Sequence, residues 1–173
     1  MAINKSKFWD EALETAPREV LEANQLKDLQ EIVKFAYDNS PYYKRSFDEA
    51  GVKPSDIKTL KDIEKFPFIN KKTQRDTQGV GSFLGELCAV PEDDVVFIST
   101  SSGSTGVPTI SPFTQKDFDE FQDTEARWFW QVGVRPNDRY VHALNFSLYV
   151  GGPDVIGAQR TGALCIWGGT LPS

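Results

Sequence analysis

Along the first part of the chain, apolar residues recur at three- and four-residue steps. In "PREVLEANQLKDLQEIVKFAYDNSPYY", Val20, Leu21, Leu26, Leu29, Ile32, Val33 and Ala36 keep that spacing, which predicts a helix with one buried face. Pro17 suits its first turn, and Asn39-Ser40-Pro41 ends it, because a residue preceding proline avoids the helical region. A shorter helix is expected from about Tyr42 to Ala50, closed by Gly51 as a left-handed cap. Thr59 caps a further turn, "LKDIEKF", that stops at Pro67.

The period changes after Gly79. "DDVVFIST" is a short apolar run with strand character, and "VPTISP" is a second extended piece. "TQKDFDEFQDTEARWFWQVG" predicts a helix, with Thr114 and Asp117 spaced as a capping box and Gly133 at its close. Phe118, Phe121, Trp128, Phe129 and Val132 are assigned to its buried side, and Trp130 falls off that side. "VRPNDR" is turn chemistry, "YVHALNF" a strand, "GGPDVIGAQRTG" a helix and "ALCIW" another strand. Alternating strands and helices predict an α/β fold with parallel pairing. The expected organisation is a helical segment, residues 1–78, followed by an α/β subdomain, residues 79–173. That subdomain would hold a partial, mostly parallel sheet of three or four strands with flanking helices, too small to cover itself well.

Charge changes the picture by exclusion. Lys44, Arg45, Lys61, Lys71, Lys72 and Arg75 alternate with acids and read as solvated helix faces. A formal net charge of −6 argues against general nucleic-acid or anionic-membrane binding. No stretch is long and apolar enough to span a bilayer. Cys88 and Cys165 are far apart among apolar neighbours, which points to reduced thiols in a cytoplasmic protein. With one histidine and two separated cysteines, a usual zinc site is not available. His142 has no cysteine or serine partner nearby to suggest a triad, and it reads as a packed or pocket-edge residue.

The chemistry-bearing stretch is "FISTSSGSTGVPTISPFT", residues 97–114. Between Phe97 and Val107 it carries six hydroxyl side chains, two glycines and no charge. Glycines let a backbone turn its N–H groups inward, and Ser/Thr hydroxyls add donors, so the loop can cradle a phosphate. The familiar Gly-x4-Gly-Lys-Ser/Thr nucleotide loop is not met, because no lysine follows. From the residues alone, a flexible Ser/Gly surface loop is the other reading.

The wording "SSGSTGVPT" resembles the signature loop of the adenylate-forming enzymes. The N-terminal run through "FPFINKKTQRD" and the segment "GVRPNDRYVHALNFSLYVGG" narrow the resemblance to the phenylacetate-CoA ligase branch, over essentially the whole chain. The resemblance implies the incomplete N-terminal domain of an adenylate-forming enzyme that activates a small, aromatic, phenylacetate-like carboxylic acid. ATP and coenzyme A would be the co-substrates and Mg2+ the ion. It also implies that Ser101, Ser102, Gly103, Ser104, Thr105 and Gly106 hold the ATP phosphates. Phe146, Leu148 and Tyr149 would shape the acyl pocket. Two departures stand out: Val107 where the family carries lysine, and Leu144 where a tyrosine is common. The family's later motifs have no counterpart, so the piece alone is expected to be inactive. Its surface would be open to the missing C-terminal portion or to a second copy. The competing reading is a non-catalytic phosphate-binding or assembly module of the same descent.

Overall fold

The computed structural model describes residues 6–101, 107–144 and 152–169. Six α-helices and four strands occur among them: α1 Glu11–Glu14, α2 Arg18–Asn39, α3 Pro41–Ala50, α4 Lys71–Thr77, β1 Val95–Thr100, β2 Ile110–Thr114, α5 Gln115–Gln131, β3 Arg139–His142, α6 Pro153–Arg160 and β4 Leu164–Trp167. Short 3-10 helices form at Pro54–Asp56, Leu60–Lys65 and Glu92–Asp94. The chain divides into two compact units, residues 16–95 and residues 1–15 with 96–173.

In the unit of residues 16–95, α2 and α3 meet at Ser40. Its hydroxyl accepts the Tyr43 N–H and donates to the Glu86 carbonyl, joining helix start and distant loop. The core is Val33, Phe47, Ile57 and Phe66, with Leu26, Leu29 and Tyr37 against it. Phe47 meets Phe66 edge-on at 4.9 Å, the arrangement aromatic quadrupoles favour. This core covers only one side of α2. Val20 and Ile32, assigned to the buried face by spacing, are exposed. Three- and four-residue steps fit two arcs of one helix, and among the described residues the core packs against the arc of Leu26, Leu29 and Val33.

The loop after α4 is tied down by polar contacts. Arg45 grips Glu86 with both guanidinium nitrogens, at 3.2 and 2.9 Å, and this holds the Glu86 carboxyl below its ordinary pKa. The Glu86 carbonyl also accepts the Tyr42 N–H. Gly85 has a positive φ of 80°, and a Cβ there would lie 2.4 Å from the Thr77 carbonyl oxygen. Only glycine meets both conditions.

In the other unit, the sequence-predicted capping box of α5 is present. Asp117 accepts the Thr114 N–H, and Thr114 Oγ1 accepts the Asp117 N–H. The expected parallel pairing is found between β3 and β4, joined through α6, with Tyr140 opposite Cys165 and His142 opposite Trp167. The described strands do not form one sheet of three or four. They pair two by two, β1 with β2 and β3 with β4.

The face of α5 also differs from expectation. Gln122, Ala126 and Trp130 are buried, whereas Trp128 is 68% exposed and Val132 still more so. The reason is α6. A Cβ on Gly157 would fall 2.3 Å from Glu125 Cβ, so the two helices cross at a distance only small residues permit. Trp130 then fills the space beside them, with Arg135 stacked at 4.1 Å and Trp9 edge-on at 5.5 Å. The Trp9 indole N–H donates to Asp123 at 3.0 Å, tying residues 6–15 to α5. Cys88 and Cys165 are both free thiols, and burial pushes the Cys165 thiol up.

Gly85→Ala is expected to destabilise the chain by roughly 2–4 kcal/mol, combining left-handed strain with overlap on Thr77. Gly51 has φ of 68° but open space around it, so Gly51→Ala should cost only about 1–2 kcal/mol. Urea denaturation of both variants checks the order.

A second prediction concerns acid. Asp62 is held well below the usual carboxylate range by Lys65 and by the Lys58 and Thr59 amides. A depressed carboxyl stabilises the fold fully above its ordinary value, and that contribution is lost as pH falls through the folded-state value. Amide exchange should therefore show the 58–66 turn opening progressively below about pH 4. In Asp62→Asn, which keeps one acceptor oxygen but loses the charge, the same turn should exchange faster at neutral pH and respond little to acid.

Candidate phosphate-binding loop

The candidate site is built on the β1–loop–β2 element. Phe97 on β1 touches Phe113 on β2 at 5.9 Å and Phe118 on α5 at 5.1 Å, and Phe113 meets Phe121 at 5.7 Å. Four phenylalanines thus fix both strands against α5, and the loop between them leaves from a rigid base.

That base is closed by Ser101 and Thr109. The Ser101 N–H donates to the Thr109 carbonyl at 3.0 Å. In return, Ser101 Oγ accepts both the Thr109 N–H and the Thr109 hydroxyl, each at 3.0 Å. A serine hydroxyl has two acceptor lone pairs and one donor hydrogen. Both lone pairs are engaged here, which leaves the O–H of Ser101 as its remaining donor. The backbone amide of Ser101 is already used by Thr109.

Of the residues assigned to the phosphates, Ser101 is the one within the described part. Ser102, Gly103, Ser104, Thr105 and Gly106 lie outside the described residues, as do the acyl-pocket candidates Phe146, Leu148 and Tyr149. Val107, at the position of the expected lysine, is 68% exposed. Leu144 is exposed as well.

Two residues not singled out as site residues belong to the same neighbourhoods. Thr109 is buried and forms half of the loop closure. The signal for it was the hydroxyl pattern continuing past Pro108, which can mirror Ser101 across the loop. Ser99, the first hydroxyl of the same run and two residues before Ser101, is buried with its hydroxyl unpartnered.

His142 ends β3 and is 2% exposed. Its Nδ1 shares a 3.1 Å hydrogen bond with the Tyr140 hydroxyl, and its Nε2 has no partner. Packing against Tyr140 and the Trp167 ring agrees with a structural imidazole. Among the described residues, no group of three or more His, Cys, Asp or Glu side chains could hold a metal ion. No described helix is long and apolar enough to cross a membrane.

Solved CoA ligases share the fold of this chain. A 2-hydroxyisobutyryl-CoA ligase in complex with 2-HIB-AMP and CoA superposes on 99% of this chain at a TM-score of 0.90 and 30% identity, using 36% of that chain. An open conformation of the same ligase with the same molecules gives 0.89 at 29% identity, over 99% of this chain and 40% of that one. The fold is thus that of part of an adenylate-forming CoA ligase.

Curated relatives narrow this. Phenylacetate-coenzyme A ligases are 40% identical in Escherichia coli and 37% in Pseudomonas putida, each over 155 residues. One from Thermus thermophilus is 38% identical over 145 residues. The chain is similar to an N-terminal portion of phenylacetate-CoA ligases and spans about a third of the length of these relatives. No protein-family model matches it.

Ser101→Ala should remove the acceptor of the Thr109 N–H and hydroxyl. An expected loss of about 1–3 kcal/mol, the cost of leaving such donors unpaired, is measurable by denaturation. Thr109→Val, which keeps the shape and the backbone pair, should cost less than Ser101→Ala.

Proposed function

We propose that the protein is the N-terminal portion of an AMP-forming CoA ligase for a small carboxylic acid, most simply an aromatic one like phenylacetate. The observation that carries this reading is the uncharged loop closed by the reciprocal Ser101–Thr109 bonds, in a chain similar to four curated phenylacetate-CoA ligases.

In the proposed reaction, a carboxylate oxygen attacks the α-phosphorus of ATP and pyrophosphate leaves. The thiolate of coenzyme A then attacks the acyl carbon and AMP leaves. The part played by this chain is at the departing pyrophosphate. Donors already aimed at oxygens whose charge grows in the transition state need no solvent rearrangement at that moment. The O–H of Ser101 supplies one such donor, and Ser102, Gly103, Ser104, Thr105 and Gly106 supply the rest. The Ser101–Thr109 closure sets the loop's mouth. Any Mg2+ arrives with the nucleotide and draws its protein ligands from elsewhere in the complete ligase.

Phe146, Leu148 and Tyr149 are proposed to line the acid pocket. Flat apolar walls there would favour an aryl acid by burial, at about 25 cal/mol per Å2. The ligase would work in the cytoplasm, where ATP and coenzyme A are available, and this portion alone would be inactive.

Hydroxamate formation or pyrophosphate release tests the reading. The complete ligase carrying this portion should turn over ATP with phenylacetate, and the 173-residue chain alone should not. Failure of the complete ligase on aryl and short-chain acids alike would favour the non-catalytic module. Val107 is exposed, so Val107→Lys can be introduced without disturbing packing. Restoring one charged phosphate contact worth about 1.5–3 kcal/mol should speed adenylation roughly 10- to 150-fold.

A further inference from the structure

The β3–β4 pair has two unlike faces. Side chains alternate across a strand, and the parallel register puts Tyr140, His142, Cys165 and Trp167 on one face and Arg139, Val141, Leu164 and Ile166 on the other. The first face packs against α5 except at its end, where Trp167 is 52% exposed. Phe129 of α5 meets Tyr140 edge-on at 5.0 Å, and His142 is buried. On the second face, Val141 is 59%, Leu164 58% and Ile166 42% exposed. These three form a contiguous aliphatic patch, because Val141 and Ile166 are direct register partners and Leu164 lies two residues before Ile166.

Parallel strands are normally covered on both faces, since their crossovers place a layer on each. Here α5 and α6 supply one layer, and among the described residues none covers the other face. Among the described residues each of β3 and β4 also has only one strand neighbour, so an outer edge of backbone donors and acceptors accompanies the open face. What covers it must bring an apolar layer and a strand able to pair in sequence-distant fashion. The matched relatives carry about two-thirds of their length outside the part this chain matches, as do the superposed ligase chains.

We propose that the face formed by Val141, Leu164 and Ile166 is the docking surface for the remaining portion of an adenylate-forming ligase, and that this chain can capture that portion as a separate polypeptide. The proposal rests on the ligase reading for the identity of the occupant, and its test reads binding rather than catalysis. The surface is an assembly seam. Completing it adds strand pairing at the edge and removes aliphatic area from water.

The experiment co-expresses the tagged 173-residue chain with the two-thirds of the Escherichia coli phenylacetate-coenzyme A ligase outside the matched residues. One-to-one retention of the E. coli piece is expected. Ile166→Lys and Val141→Lys should weaken retention about tenfold or more, by placing a charge at the centre of an apolar seam. Ile166→Ser should weaken it less, and Gln131→Lys, an exposed change at the end of α5, should leave it unchanged. All three positions are exposed, so thermal melts of the four variants should match the parent.

Three results would overturn the proposal: the piece insoluble with or without the chain, retention indifferent to the two lysines, or a dimer of the chain alone that Ile166→Lys dissolves. The last would assign the face to a second copy. Hydroxamate formation by the captured pair is recorded separately. A complex that forms but stays inactive with every acid keeps the docking surface and contradicts the ligase reading.

Discussion

The reciprocal pairing of Ser101 with Thr109 is the constraint on which the functional account turns. A loop rich in glycine and hydroxyls has high conformational entropy, and aiming several donors at one anion requires its ends to be fixed. Two strands alone would allow the mouth of the loop to slide. Three hydrogen bonds between one serine and one threonine prevent that, and the Phe97, Phe113, Phe118 and Phe121 contacts hold both strands on α5. The same closure redefines Ser101. Its amide belongs to the scaffold, and only its O–H remains for a ligand.

Much of this was readable in the residues. Local signals with a single physical meaning came through: the Thr114–Asp117 box, the left-handed Gly51 and Gly133, the stop before Pro41, and the parallel pairing implied by strand, helix, strand. Readings that needed a partner element did not. Trp128 and Trp130 are two residues apart on one helix, and only the close approach of α6 through Gly157 decides which is buried. Val20 and Ile32 keep helical spacing with Leu26 and Leu29, yet a core of four residues covers one arc alone. The loop wording pointed to a phosphate cradle, whereas the role of Thr109 depends on chain closure that spacing does not encode.

The two units show different ways to stabilise a small structure. Residues 16–95 rely on a compact aromatic-aliphatic core with a buried serine and an Arg45–Glu86 clamp at its edge. That clamp is half exposed, so its main effect is to position the Gly85 turn, and it adds little net stability. Residues 96–169 instead stack short strand pairs on the α5–α6 crossing and leave an aliphatic face uncovered. A chain that spans a third of its relatives can fold in pieces and still present the seam at which a larger sheet would continue.

The central claim is that the uncharged loop directs its donors to a polyphosphate. The most direct measurement is a titration of the 15N-labelled chain with inorganic pyrophosphate, followed by amide shifts. The account predicts saturable shifts at residues 102–106, with the Ser101 amide nearly still because Thr109 holds it. Shifts confined to the lysine-bearing surfaces of residues 16–95, or none within the loop at saturating pyrophosphate, would contradict it.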